Sequence, residues 1–180
     1  MQHDTNPLGQ PVGLALPDWQ PPPRPSHRTL EGRYCWLEPL DPARHAEALF
    51  AANGLDAEGR NWTYLPYGPF ANLIAYRAWV EQVCESEDPF FFAIVEQATG
   101  LAAGVASYLR ITPDSGTIEV GHINYSPLLQ RTRAATEAMY LMMEQAFALG
   151  YRRYEWKCNA LNAASRTAAL RLGFSFEGLF

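Results

Sequence analysis

The sequence predicts an α/β chain in which a mixed, mostly antiparallel sheet is flanked by helices. Three observations carry that expectation. Strand-like runs at residues 90–96, 101–112 and 116–126 follow one another, separated by QATG and PDSG, turn residues suited to antiparallel hairpins. Next, residues 133–149 place Ala135, Ala138, Met139, Met142, Ala146 and Leu149 on one helical stripe, and Gly150 closes it. Finally, Tyr154, Trp156 and Cys158 alternate with Arg153, Glu155 and Lys157, the period of a half-buried strand. A long helix between two strands implies a crossover to a parallel neighbour.

The remaining elements follow in chain order. Residues 1–30 hold half of the fourteen prolines. Proline fixes φ and removes a backbone donor, so this segment is expected to be an extended arm without regular structure. The aliphatics of residues 12–16 and the Trp19 ring could pack it onto a domain spanning residues 31–180. A short strand, GRYCWLEPL, ends at Asp41-Pro42, an N-cap and first-turn pair. The helix it starts is expected to end near Asn53-Gly54. An aromatic loop with Trp62, Tyr64, Tyr67 and Phe70 precedes a second helix over residues 71–86, with Ile74, Trp79 and Val83 expected on its buried face. After the crossover strand, Asn162 caps a last helix that stops at Gly173, and FSFEGLF begins one more strand.

Composition bounds the function classes. At 180 residues, with 48% hydrophobic and 18% charged residues, the chain suits one well-packed domain and excludes a disordered or low-complexity one. A net charge of −5 provides no overall field for nucleic acid or an anionic membrane, so neither is expected as a direct partner. No stretch approaches the ~18 apolar residues of a membrane span, and the first residues lack the pattern of a secretory signal. The three cysteines form no CxxC, and the four histidines have no ligand spacing, so no disulfide framework or metal is expected. These features describe a soluble cytoplasmic protein.

The most informative chemistry lies at Gln130, Arg131, Thr132, Arg133, Ala134, Ala135 and Thr136, where a strand gives way to the long helix. A helix N-terminus offers unpaired N–H groups and partial positive charge to an anion such as a pyrophosphate. The alternative is an ordinary helix start with two solvated arginines.

The segments IEVGHINYSP, QRTRAATEAM and NALNAASRTAALRLGFSFEG, in that order and spacing, resemble the GNAT superfamily of N-acetyltransferases. The similar branch includes enzymes that acetylate the N-termini of ribosomal proteins. The resemblance covers residues 30–180 and implies direct transfer from acetyl-CoA to a primary amine, on a protein N-terminus or a small molecule. It implies that Gln130 to Thr136 bind the pyrophosphate, although arginine stands at 131 and 133 where the family usually carries glycine. Loss of those glycines could weaken cofactor binding, but Arg133 is tolerable if its φ is helical.

By the same resemblance, backbone groups of Ile123, Asn124 and Tyr125 pair with the pantetheine arm in a groove between two splayed strands. Asn162 contacts the cofactor, and Ser165 lies near the sulfur as a proton donor. Both also suit plain helix capping. Glu119, eleven residues before Gln130, stands where a relative carries its general base. Its alternative is a strand carboxylate paired with a neighbouring Lys or Arg. Trp62, Tyr64 and Tyr67 fall in the loop that walls the acceptor side, where rings could hold an amine by cation–π contact. They could equally plug two helices together.

His122, an odd step from Glu119, is expected on the opposite sheet face as a hydrogen-bonded structural histidine, with a titrating residue near substrate as the alternative. Cys158 is expected to be a buried thiol beside Trp156. The resemblance also implies that a final strand is missing after Phe180, which would leave a sheet edge open. A monomer or homodimer is expected. The rival from another class is a non-catalytic acyl-CoA-binding or protein-interaction module.

Overall fold

Local capping chemistry sets most of the element boundaries seen in the computed structural model, which describes residues 3–179. Asp41 caps helix α1 (Pro42–Asn53) by accepting from the Arg44 N–H at 2.7 Å, with Pro42 in the first turn. Asn72 does the same for α2 (Leu73–Val83), accepting from Ala75 N–H at 2.9 Å. Thr132 caps the long α3 (Arg133–Leu149), and Gly150, at φ 104°, closes it in the left-handed region that glycine adopts without strain. Asn162 opens α4 (Ala163–Arg171).

Six strands form one sheet whose spatial order equals the chain order: β3 (Leu30–Glu31), β4 (Cys35–Pro39), β5 (Phe90–Glu96), β6 (Ala102–Thr112), β7 (Thr117–Tyr125) and β8 (Arg153–Trp156). Every neighbouring pair is antiparallel except β7 and β8, which α3 joins as a parallel pair. This is the expected mixed sheet with its helical crossover. On one face, Met139 and Met142 of α3 pack over Phe92, Tyr108, Ile118 and Val120. On the other, Leu49 of α1 and Val80 of α2 pack with Trp62, Phe91, Val95 and Val105. Each such side chain, fully buried, contributes on the order of 2 kcal/mol.

Three expectations need correction. Ile74 is 81% exposed. The buried stripe of α2 is Tyr76 and Val80, with Trp79 and Val83 partly buried beside them, and a residue two positions before Tyr76 points away from it. Residues 174–179 form no strand; Phe174 instead lays its ring against Tyr154 and Trp156, at 5.5 Å from each. Phe180 lies outside the described residues. The arm, expected to lack regular structure, carries a small hairpin of β1 (Asp4–Thr5) and β2 (Pro11–Val12).

The aliphatics Val12, Leu14 and Leu16 stay exposed. What docks the arm lies further along. Trp19 stacks under Arg152 at 5.5 Å, Pro22 is buried near Gly150, and the His27 ring meets Phe90 edge-on at 4.6 Å. No helix among the described residues is long and apolar enough to cross a membrane.

Candidate functional site at the parting of two strands

The parallel ladder between β7 and β8 runs from Thr117–Arg153 to Val120–Trp156 and stops there. Strand β7 continues to Tyr125 while β8 has ended, so residues 121–125 have no ladder partner on that side. The strands therefore part, leaving backbone groups of Ile123 and Asn124 at the edge of a gap. Tyr125 is differently employed. Its carbonyl accepts from Asn61 Nδ2 at 3.1 Å and from Gln130 Nε2 at 2.9 Å, and its hydroxyl donates to the Ala135 carbonyl at 3.1 Å.

The first turn of α3 lies beyond the end of β7. Thr132 Oγ1 accepts from Ala135 N–H at 3.1 Å and donates to the Leu129 carbonyl at 2.8 Å. The N–H groups of Arg133 and Ala134 remain as the open donors of the helix start. Arg133 opens the helix with helical geometry, as its tolerance required. Arg131 has φ 62°, in the left-handed region where a side chain is strained. A cavity of about 560 Å³ opens here, lined by Tyr34, Arg131, Arg133, Thr136 and Tyr140 among others.

Two residues missed by sequence reasoning belong to this corner. Tyr34 faces the Arg133 guanidinium at 5.6 Å, and Arg171 of α4 donates to Thr136 Oγ1 at 3.2 Å. Three arginines thus gather around one helix N-terminus in an acidic protein. Gln130, by contrast, turns its amide to Asn61 Oδ1 at 2.8 Å, tying the aromatic loop to β7, and its backbone N–H donates to the Ser126 carbonyl at 3.1 Å, so neither donor is free for a ligand. Ala134 and Ala135 bury their methyl groups, and the Ala135 N–H is already spent on the cap.

Across the gap, Asn162 Oδ1 accepts from Ser165 N–H at 3.0 Å, and the Trp156 indole donates to Ser165 Oγ at 2.9 Å. Asn162 therefore caps α4 and keeps its own amide donors. Ser165 accepts from an indole and keeps its hydroxyl proton to give. Trp156 sets this geometry, and the sequence did not mark it for that role.

Glu119 is 3% exposed. Its two oxygens accept from Arg110 Nη1 and Lys157 Nζ, both at 2.7 Å, and Lys157 also bridges to Glu155 at 2.7 Å. Burial works to lower the Lys157 pKa, but its bonds to Glu119 and Glu155 outweigh that and raise it. Both oxygens of this buried carboxylate are engaged by cations. The geometry is thus that of the paired strand carboxylate rather than of a free base.

Trp62 is buried in the helix-side core, edge-on to Phe70 at 5.5 Å, which makes it part of the plug. Tyr64 is exposed, and its hydroxyl donates to the Leu161 carbonyl at 3.2 Å, spanning the two walls of the gap. Tyr67 is half-buried between Trp79, at 4.7 Å, and His122, at 5.6 Å.

Two further readings are overturned. Cys158 is exposed, because β8 ends at Trp156 and its alternation no longer governs the chain. His122 does not sit on the face opposite Glu119. The β6–β7 register shifts between Val105–Asn124 and Ser107–Gly121, placing an extra residue in β7, and His122 adopts φ 50° there. The bulge turns its ring toward Tyr67 and Phe91 on the helix side. No described residue hydrogen-bonds to either ring nitrogen, and neither nitrogen is sealed from solvent. Burial lowers the His122 pKa, the Arg110 charge lowers it further, and Glu119 opposes both.

Among the described residues, no cluster of three His, Cys, Asp or Glu could hold a metal ion. The arrangement suits an extended anionic ligand: open backbone along β7, donors and arginines at α3, and a hydroxyl and an imidazole where the strands part.

Comparison with known proteins gives this geometry a family. A family model described as an acetyltransferase (GNAT) domain matches residues 35–175. A GCN5-related N-acetyltransferase from Brucella melitensis is 44% identical with a TM-score of 0.89, the match covering 92% of this chain and 75% of that one. A probable GNAT-family acetyltransferase from Chromobacterium violaceum is 38% identical with a TM-score of 0.85, covering 94% and 84%. The fold is also that of the microcin C7 self-immunity acetyltransferase MccE, solved with acetyl-CoA and AMP (22% identity, TM-score 0.70, 82% of each chain). No curated protein sequence matches significantly. With the family model matching most of its length and relatives 44% and 38% identical over more than nine-tenths of it, the chain belongs to the GNAT acetyltransferase family.

Proposed function

We propose that this chain moves an acetyl group from acetyl-CoA to a primary amine, on a protein N-terminus or a small molecule, by direct attack. The observation that carries the reading is that β7, unpaired with β8 beyond Val120, ends against the arginine-rich start of α3, where the Tyr125 hydroxyl donates to the Ala135 carbonyl. Pyrophosphate oxygens would take the open N–H groups of Arg133 and Ala134, with Arg131 and Arg133 adding charge. The pantetheine arm would pair with the unladdered backbone at Ile123 and Asn124, and the amide donors of Asn162 lie on the opposite wall. Ser165, polarised by the Trp156 indole, would give its proton to the departing thiolate. Glu119 holds Arg110 and Lys157 in place, and Tyr64 presents ring surface to a cationic acceptor, while Tyr67 backs the His122 ring. The three free cysteines suit a reducing cytoplasm.

Calorimetric titration with acetyl-CoA, with CoA and dephospho-CoA alongside, tests the reading. Micromolar binding is expected, followed by thiol release in the presence of amines. Absence of binding by a folded chain would remove the reading and leave a protein-interaction module. Binding without turnover would leave a non-catalytic acyl-CoA carrier.

A further inference from the structure

We infer that His122 is the base that takes the proton from the acceptor amine. This rests on the acetyl-transfer reading and assigns the residue that serves it. Four observations converge. His122 is the second residue past Val120, the last position of β7 paired to β8, so it stands where the strands part. Ser165 is fixed to Trp156, the partner of Val120 in that last pair, so both groups flank one point. They do so from opposite faces: Trp156 packs on the α3 side, whereas the His122 ring meets Phe91, part of the α1–α2 core. A thioester lying in the gap would have its leaving sulfur toward Ser165 and its carbonyl open to attack from the His122 side.

The third observation is the bulge itself. A histidine at φ 50° within a strand is uncommon, and such strain persists where surrounding structure enforces it. The Tyr67 ring lies nearly parallel to the imidazole, with 14° between the planes at 5.6 Å. Stacking fixes the ring plane while leaving both nitrogen edges free. The fourth is an unpartnered neighbour. Asn124 is 3% exposed, has no hydrogen bond to either side-chain polar atom, and pairs with Val105, which belongs to the same helix-side core. A buried amide without partners calls for a ligand or water, and here it shares the face of the unbonded imidazole.

The charged and titratable groups around His122 are Arg110 on β6, Glu119 on β7 and the Tyr67 phenol in the aromatic loop, with Lys157, just past β8, acting through Glu119. Burial and the Arg110 charge lower the imidazole pKa against the opposing Glu119 charge, favouring the neutral form that accepts a proton. An amine arriving as ammonium gives one proton to the imidazole and becomes neutral. Its lone pair forms the C–N bond to the acetyl carbonyl. The tetrahedral intermediate then breaks its C–S bond, with the electron pair leaving on sulfur. The thiolate takes a proton through Ser165, and the nitrogen of the new amide loses one. The net proton released is the one held by His122, which returns to solvent.

The test compares wild type with His122→Asn, since asparagine accepts the left-handed backbone but cannot act as a base. Thiol release from acetyl-CoA is followed from pH 5.5 to 9 with spermidine, a Ser-Ala dipeptide and water as acceptors. Calorimetry and thermal unfolding are run on the same samples. The expected result is an acid limb below the ordinary histidine value of about 6.5 in wild type. In the variant the limb is absent and the rate is lower by ~10²–10⁴-fold, with acetyl-CoA affinity unchanged. A folded variant that keeps wild-type rate and pH profile overturns the assignment, as does a wild type that binds acetyl-CoA but releases no thiol. A wild type that does not bind acetyl-CoA fails at the earlier step, and the acetyl-transfer reading falls with it. Should the variant unfold, nuclear magnetic resonance titration of the wild-type His122 ring decides. A ring that stays protonated at neutral pH in the acetyl-CoA complex refutes the proposal.

Discussion

Replacing Arg131 by glycine sets two effects of opposite sign against each other, and their separation tests why an arginine occupies that loop. At φ 62° a non-glycine residue carries about 1–2 kcal/mol of left-handed strain. Glycine relieves it but loses about 0.5–1 kcal/mol in backbone entropy. The variant should therefore be as stable as wild type or more so by about 1 kcal/mol, a rise in Tm of roughly 0–4 °C for a chain of this size. The same change removes one of three arginines at the α3 N-terminus. For an exposed, solvent-screened guanidinium the loss is about 1 kcal/mol, or roughly fivefold in Kd for acetyl-CoA, shrinking as salt rises. Calorimetry at low and high salt, with thermal unfolding of the free protein, measures both. Tighter binding by the glycine variant would refute the phosphate role of Arg131, and a lower Tm would refute the strain argument.

Glu137 accepts from the backbone N–H groups of Arg33, Tyr34 and Cys35 at 2.9, 2.6 and 3.0 Å, fastening the β3–β4 turn and Tyr34 to α3. In Glu137→Gln one of these donors meets an NH₂ group, so a loss of about 2 kcal/mol is expected in urea unfolding at pH 7. Burial alone would raise the Glu137 pKa, but the three N–H groups outweigh it and hold it below its ordinary value. The stabilisation is therefore present above the unfolded carboxylate pKa and lost as pH falls through the folded one. The difference between wild type and variant should close in acid; a constant difference would contradict this account. In Gly68→Ala, the new Cβ would lie 2.3 Å from Trp62 Cε3 at φ 74°. A loss of about 2 kcal/mol or more is expected, with acetyl-CoA affinity kept, and unchanged unfolding would show that the aromatic loop yields easily.

Much of this was readable one segment at a time. The runs that became β5, β6 and β7, the stripe of α3, and the caps Asp41 and Asn162 all rest on interactions within a few residues. Their chemistry is written in adjacent letters. The helix N-terminus at Thr132 was legible for the same reason. The failures share a different cause. Ile74 was misplaced because a helix can bury more than one stripe, and packing against α1 and β5 chose the one through Tyr76 and Val80. Cys158 was misplaced because alternation says nothing of where a strand ends.

The sharpest contrast lies on β7. Its strand character, its place after a hairpin and its lead into a helix start with open N–H groups are all local properties. The face that His122 occupies is not, because one extra residue at the bulge reverses alternation, and nothing in GHINY announces it. Glu119 gains its two cations from β6 and from the residue after β8, and the α3 corner gains Tyr34 and Arg171 from opposite ends of the domain. Periodicity and capping are short-range and survive in the letters. Bulges, ion pairs and ligand corners depend on which strands become neighbours, and that is settled only when the sheet closes around its core.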